Sequence, residues 1–538
     1  MASSRRAAVQ PVGAAELDQA RAAWDAGEYG RVLELTESDR FDRREDRIPA
    51  AILRARALLA LDRPAEVAAS LERARKEAKG VEETVLVQML SGAALTRTNR
   101  RERGEALLDE TSALAARGPA RLVPEVAYYR ALSRWSAHRL DEAEAIVEAV
   151  LAQATDVVRS RLLQLLGWID VRRENYGAAA QQFTAALEAL DKARHPDVMG
   201  RARVLQALGI IAAETIDLRL GRLVRREYES FAWTDDTRIE RFYALENLTW
   251  LSLLDGDIGR AWDERQLALT LTINSGHHAS ALISASRIAG IVGDRYSASR
   301  YLELAGALLL RGDQVDLDVD RRLVMLSFVV AVPLADLATA RKLMALYDRT
   351  WPRRTDMLAF EGDRRVEAYE LHARAEIALA EGRKREAVDA FEQSIDLWMR
   401  LGYRLRTAIV AGDLRAAAGE RRWAQIGLDA LRNAPNAWFR AALERGSSGD
   451  DPLSKLTPAE RRVLSELCKG KKAREIADEF GRSFNTINNH TRAVFAAFGV
   501  QTRAALVAEC AKLGILGDQS PARPAARAGI NGPGGPHR

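Results

Sequence analysis

One short spacing recurs along most of this chain and decides what it can fold into. In its clearest copy, Ala179, Phe183 and Ala186 follow Leu166-Gly167, placing small, large and small side chains along one face of a helix. Such a face lets one helix press closely against another. Related patterns stand at Gly27, Tyr29, Val32; Val67, Leu71, Ala74; Gly104, Leu108; Ala143, Val147, Val150; Gly256, Ala261, Ala268; Gly293, Ala298, Leu302, Ala305; Ala340, Met344; Gly382, Ala387, Phe391; and Gly419, Ala424, Leu428. Anchors from Val32 through Val67, Gly104 and Ala143 to Ala179 lie 35, 37, 39 and 36 residues apart, and those at Ala261 to Ala298 and Ala387 to Ala424 lie 37 apart. A period of this length with two helices per unit predicts an α-solenoid of about ten or eleven helix pairs. The copy between Gly200 and Glu229 departs furthest from the pattern.

From Ala14 to Arg440 there is no alternating strand signature and few prolines, so the expected class is all-α. Although 47% of residues are hydrophobic, no run of about 18 apolar residues occurs, and no membrane span is expected. The start, MASSRRAAVQPVGAAEL, has no apolar core of signal-peptide length, which points to a cytoplasmic protein. All ten tryptophans fall in the repeats. Most read as core, with Trp135, Trp168 and Trp250, on first helices, the candidates for lining a groove. Arg225-Arg226 and Arg353-Arg354 read as solvated faces.

Enzyme chemistry finds no foothold. Asp336, His277-His278 and His195 form no spaced metal constellation, and no His/Cys cluster has zinc spacing. No phosphate loop is present, since Gly470-Lys471 lacks the upstream glycine and follows a helix. No alternating β/α receiver segment occurs, and no nucleophile, base and orienter can be assembled. The expectation is a non-enzymatic protein without cofactors.

The last hundred residues read differently. Within Ser483 to Phe498, Ile487, Thr491, Val494 and Phe498 share one helix face, while Asn485, Asn488, Asn489 and Arg492 gather opposite. Amides and a guanidinium with no carboxylate among them are the groups that pair bidentately with adenine and guanine edges in the major groove. Just upstream, Ala473, Ile476, Ala477 and Phe480 make a short amphipathic helix that ends at Gly481, and Ser483 is placed to cap the next one. So tight a junction predicts a helix-turn-helix. Thr457-Pro458-Ala459-Glu460 reads as a capping box opening a preceding helix, and Thr502 can cap a fourth that runs to about Leu513. Charge agrees with a polyanionic partner: residues 451–516 carry a net +4 and the tail from Gly517 a net +2, leaving the first 450 residues near −1. The two cysteines, Cys468 and Cys510, both in this region, read as buried thiols.

LTPAERRVL, REIADEFGRSFNTINNH and FGVQTRAALVAECAKLGIL resemble the LuxR-type (GerE-type) helix-turn-helix domain, over about 60 residues. The repeat units resemble tetratricopeptide repeats, best between Leu163 and Leu187. By position, the LuxR resemblance implies base reading by Asn488, Asn489 and Arg492, with Asn485 on the same face. It implies phosphate contact by Lys472, Arg474, Ser483 and Thr486, with the neighbouring cations Lys471, Arg482 and Arg503. It also implies a dimer helix carrying Thr502, Leu506, Glu509, Cys510 and Leu513, which would pair two copies on inverted half-sites. Three positions depart from the family pattern: Lys472 at a cap position usually Ser or Thr, Thr491 at a usually aliphatic position, and Ala497 where a basic residue is common.

The expected architecture is a tetratricopeptide-like α-solenoid followed by a four-helix LuxR-type domain. Its segments are a disordered start at 1–13, the array at 14–444, a flexible linker at 445–454, the DNA-binding domain at 455–516 and a disordered tail at 517–538. The expected function is sequence-specific transcription regulation. The expected partners are double-stranded DNA, a second copy of the chain on DNA, RNA polymerase, and a small-molecule, peptide or protein effector in the repeat groove. The alternative is an interaction scaffold that sequesters a partner and binds DNA only weakly.

Overall fold

The structure, a computed structural model, describes residues 12–37, 41, 43–291, 294–312, 318–331, 337–351, 364–445, 456, 458–468 and 470–512. Among these residues every regular element is a helix. The chain divides into two compact units, one of residues 1–288 and 298–444, the other of residues 289–297 and 445–538.

The first unit is a stack of helix pairs. Eleven follow one another among the described residues, from Val12–Asp25 with Tyr29–Leu35 to Arg404–Ala418 with Arg421–Ala430. The first helix begins at Val12, so Val12 and Gly13, read from sequence as disordered, are helical. The linker from 446, the Arg353-Arg354 pair, Asp336 and the tail lie outside the described residues.

The anchor spacing does what its chemistry requires. Ala179, Phe183 and Ala186 on helix Tyr176–Asp191 are fully buried, as are Val32, Val67, Ala143, Ala261 and Ala387 in other pairs. Gly167, on the facing helix Asp156–Arg172, has to be glycine because a Cβ there would sit 2.8 Å from the Phe183 ring. Removing such a ring from a packed pair typically costs about 3–5 kcal/mol. The turn inside a pair is also repeated. Asp62, His138, Glu174, Ile216, Gly256 and Gly382 all adopt the left-handed conformation. The next N–H then reaches back over the helix end, as in Arg63 to Leu58 (2.8 Å), Asn175 to Asp170 (2.9 Å) and Arg383 to Ala378 (2.8 Å).

Pairs five apart along the array also touch. Between the first and sixth pairs the Met199 N–H donates to the Tyr29 hydroxyl (3.1 Å), and the Gly30 N–H donates to the carboxylate of Asp236, in the turn after the sixth pair (2.9 Å). Burial, with the nearby Asp197 carboxylate, pushes the Tyr29 phenol up to about 12, so it stays a neutral hydroxyl at this contact. Between the sixth and eleventh pairs Arg406 binds Glu214, and the Tyr176 ring of the fifth pair meets that of Tyr403, at the start of the eleventh, edge to face at 5.2 Å. The Trp438 N–H donates to the Leu253 carbonyl at 3.1 Å. The array is therefore a tight superhelix whose successive turns are bonded to each other.

That winding corrects several expectations. Trp168 packs edge to face on Phe183 at 5.3 Å, inside its own pair. Trp250 is buried and carries the Arg406 guanidinium over its ring at 5.3 Å. Trp135 is half-buried under Arg172, at 5.4 Å. Trp135 and Trp168 are thus only partly buried, whereas Trp250 is part of a contact between turns. Arg225 is not a solvated charge either: it bonds Glu264 and the Ser252 hydroxyl (2.8 Å) with only 14% of its side chain exposed.

Candidate nucleic-acid interface

The second unit holds four helices: Pro458–Cys468, Ala473–Phe480, Phe484–Phe498 and Arg503–Lys512. Their inner faces share one core, in which Val463, Leu464, Leu467, Ile476, Ile487, Val494 and Phe498 are buried with Leu456, Leu506 and Cys510. Helix Phe484–Phe498 is thus anchored along a single side by Ile487, Val494 and Phe498.

Its start is fixed as the sequence requires. The Ser483 hydroxyl accepts the Thr486 N–H at 3.1 Å and lies 2.8 Å from the Thr486 hydroxyl. Gly481 stops the preceding helix with φ +58°, and the Arg482 N–H returns to the Ala477 carbonyl at 3.0 Å. Only the turn around Gly481 therefore separates the two helices, and their relative angle is set by backbone bonds.

The opposite side is left to solvent. Asn485, Asn489 and Arg492 are exposed and Asn488 is partly so, and no hydrogen bond within the described residues engages their side chains. Amides held this way keep both donor and acceptor available for a base edge. Phe484 also lies exposed at the first turn, with the Arg474 guanidinium 5.6 Å from its ring. This aromatic escaped the sequence reading because a phenylalanine beside a cap usually packs inward.

The three departures have local explanations. Lys472 has no acceptor with which to cap a helix, but its own N–H donates to the Glu475 carboxylate at 2.7 Å, which supplies half of a capping box. The Thr491 hydroxyl donates to the Ile487 carbonyl at 2.8 Å, so its polar atom is satisfied on the packed face. Ala497 lies half-buried beside the core.

Four of the residues given these roles are bonded or buried within the domain. Arg503 donates from Nε to the Leu467 carbonyl at 3.0 Å and so closes the end of helix Pro458–Cys468. Lys471 is held by Glu466 (2.7 Å) and Glu479 (2.5 Å), and these carboxylates raise its pKa. Leu506 and Cys510 are fully buried in the domain core, so neither can meet a partner copy. Of the other residues expected to pair copies, Thr502 is exposed just before that helix, its hydroxyl accepting the Ala505 N–H at 3.2 Å, and Glu509 is half-buried. Leu513 lies outside the described residues. Lys472, Arg474, Arg482, Ser483 and Thr486 remain exposed around the start of helix Phe484–Phe498. His490 is half-buried, its Nδ1 3.7 Å from Glu460. Cys468 and Cys510 are free, buried thiols.

A short helix, a glycine turn and a second helix with an open amide and guanidinium face define a helix-turn-helix unit. Residues 454–509 match the family described as "Bacterial regulatory proteins, luxR family", and the C-terminal unit is a LuxR-type DNA-binding domain. No curated relative matches the chain. Among solved structures, the chain is similar to a Rap protein complexed with competence and sporulation factor, at 13% identity and TM-score 0.42, over 68% of this chain and 100% of that one. It is similar to the Cut9-Hcn1 hetero-tetramer of the APC/C, at 14% identity and TM-score 0.40, over 92% of this chain and 89% of that one. It is also similar to the apo quorum sensor NprR from B. thuringiensis, at 12% identity and TM-score 0.31, over 78% and 98%. No helix among the described residues is long and apolar enough to cross a membrane.

Proposed function

We propose that the protein is a sequence-specific transcription regulator that binds an inverted-repeat operator as a dimer and whose helical-repeat array senses an effector. One observation carries this reading: the open face of Asn485, Asn488, Asn489 and Arg492 on a helix capped by Ser483 and anchored by Ile487, Val494 and Phe498. In this reading Asn488, Asn489 and Arg492 contact bases. Lys472, Arg474, Arg482 and the Ser483–Thr486 cap set register on phosphates. Dimerisation would use the outward side of helix Arg503–Lys512, around Thr502 and Glu509.

A second reading is an interaction scaffold with only weak DNA binding. It draws support from Lys471 and Arg503, two cations with partners inside the domain, which leave fewer for phosphates. Selection of bound sequences from a random DNA pool with the full-length chain separates the two. The regulator reading expects a preferred palindromic site that Arg492→Ala weakens at one base position by about 1–3 kcal/mol. A flat selection with a stoichiometric protein partner recovered instead would establish the scaffold.

A further inference from the structure

Two neighbouring first helices of the array bring together a constellation that neither contains alone. His372 and Glu376 lie one turn apart on helix Arg364–Ala380, and Asp413 comes from helix Arg404–Ala418, one repeat later. The His372 Nε2 is 3.1 Å from the Asp413 carboxylate and 3.6 Å from that of Glu376, and one ligand atom from each residue lies within 4.8 Å of the other two. His372 and Glu376 are buried, with 4% and 5% of their side chains exposed, whereas Asp413 is 40% exposed and opens the cluster to solvent.

These separations have a meaning. Ligand atoms held about 2.0–2.2 Å from a tetrahedral divalent ion stand roughly 3.4 Å apart along each edge. The two measured edges bracket that value. The Arg287 guanidinium, which also acts on Glu376, is turned to the Ser327 carbonyl at 3.3 Å.

We propose that His372, Glu376 and Asp413 form a divalent transition-metal site, of the zinc class, that clamps the tenth and eleventh helix pairs together. Imidazole nitrogen with two carboxylate oxygens suits Zn2+ and Co2+, and the open fourth position on the Asp413 side would hold water. Because the ligands come from adjacent pairs, binding would stabilise the end of the array that precedes the linker in sequence. Bound ion would then bias this segment without touching the DNA-binding residues.

The test uses the full-length chain, stripped of metal and titrated with Co2+ and then Zn2+. One Co2+ per chain should bind with tetrahedral d–d absorption and without thiolate charge transfer, which excludes Cys468 and Cys510 as ligands, and Zn2+ should displace it. Asp413→Asn keeps the shape and an acceptor at an accessible position, and should weaken affinity about 10-fold or more. His372→Gln should abolish the signal, and Asp413→His, which keeps a ligand at that position, should retain it where Asp413→Asn does not. Circular dichroism of each variant verifies the fold, and Asp413→Asn decides the matter even if His372→Gln fails to fold. Absence of stoichiometric binding, a thiolate spectrum, or affinity unchanged in Asp413→Asn would overturn the site.

Discussion

Arg406 holds Glu214 across 192 residues of sequence, with Nε at 2.9 Å and Nη2 at 2.7 Å from one carboxylate oxygen. The pair joins two turns of the superhelix and is largely shielded, with 15% and 13% of the side chains exposed. Trp250 and Tyr369 flank the guanidinium at 5.3 and 5.5 Å. Burial opposes the charge on Arg406, but the Glu214 carboxylate more than offsets it, and the pKa rises.

Removing one partner of such a pair strands a charge in a poorly solvated place. Arg406→Met should destabilise the array by about 3–5 kcal/mol, read as a shift of the urea midpoint by far-ultraviolet circular dichroism. Arg406→Met combined with Glu214→Met should recover most of that loss, because the stranded charge goes too. Equal losses in the single and double variants would show that the two turns do not depend on this contact.

Two cations near the reading helix should behave oppositely. Lys472 is exposed and its side chain makes no hydrogen bond or ion pair among the described residues, so Lys472→Ala should flatten the slope of log affinity against log salt by about 0.9 while leaving stability unchanged. Arg503 instead satisfies the Leu467 carbonyl. Arg503→Ala should cost about 1–3 kcal/mol of domain stability and leave the salt slope alone. Binding isotherms at several salt concentrations, paired with thermal melts, check both, and exchanged behaviours would reverse the assignments.

What could be read from the sequence follows its range of interaction. Ala179, Phe183 and Ala186 announce their pair because the contact lies within one repeat, and Ser483, Gly481 and Ile487 announce the helix-turn-helix for the same reason. The contacts of Tyr29 with Met199 and of Arg406 with Glu214 depend on superhelical pitch, a small rotation summed over five repeats that no local pattern encodes. The bond of Arg503 to Leu467 was not legible, because a cation at a helix start looks like a phosphate ligand until the carbonyl it covers is known. His372 and Asp413 stand 41 residues apart, one repeat, so a search for ligand types at the repeat spacing would have found them.

Acid should weaken the middle of the array. His277 is bonded to the Tyr243 hydroxyl at 2.9 Å and His278 to the Thr272 hydroxyl at 3.0 Å, and burial holds both below the ordinary value of 6.5. The unfolded chain therefore takes up protons at these sites before the folded one does. Their contribution to stability is complete above pH 6.5 and declines as pH falls through that value toward the folded pKa values. A chain carrying His277→Gln and His278→Asn should lose less stability than the parent between pH 7 and 5, measured by urea titration at each pH. Parallel profiles for the two would mean that neither histidine is linked to folding.

Two glycines separate backbone strain from contact between turns. Gly27 and Gly382 end first helices with nearly the same left-handed φ, +76° and +78°. A Cβ at Gly382 meets nothing within 4 Å, whereas one at Gly27 would lie 2.7 Å from Val198, on the sixth pair. Gly382→Ala should therefore cost only the conformational penalty, about 1–2 kcal/mol. Gly27→Ala should cost that plus a further 1–3 kcal/mol or so for overpacking. Adding Val198→Ala to Gly27→Ala should remove most of the excess, because the clash is with that side chain. Unfolding midpoints of the three variants decide the point: equal costs at the two glycines would mean that the first and sixth pairs are not in contact, and the array would be an open coil rather than one bonded turn to turn.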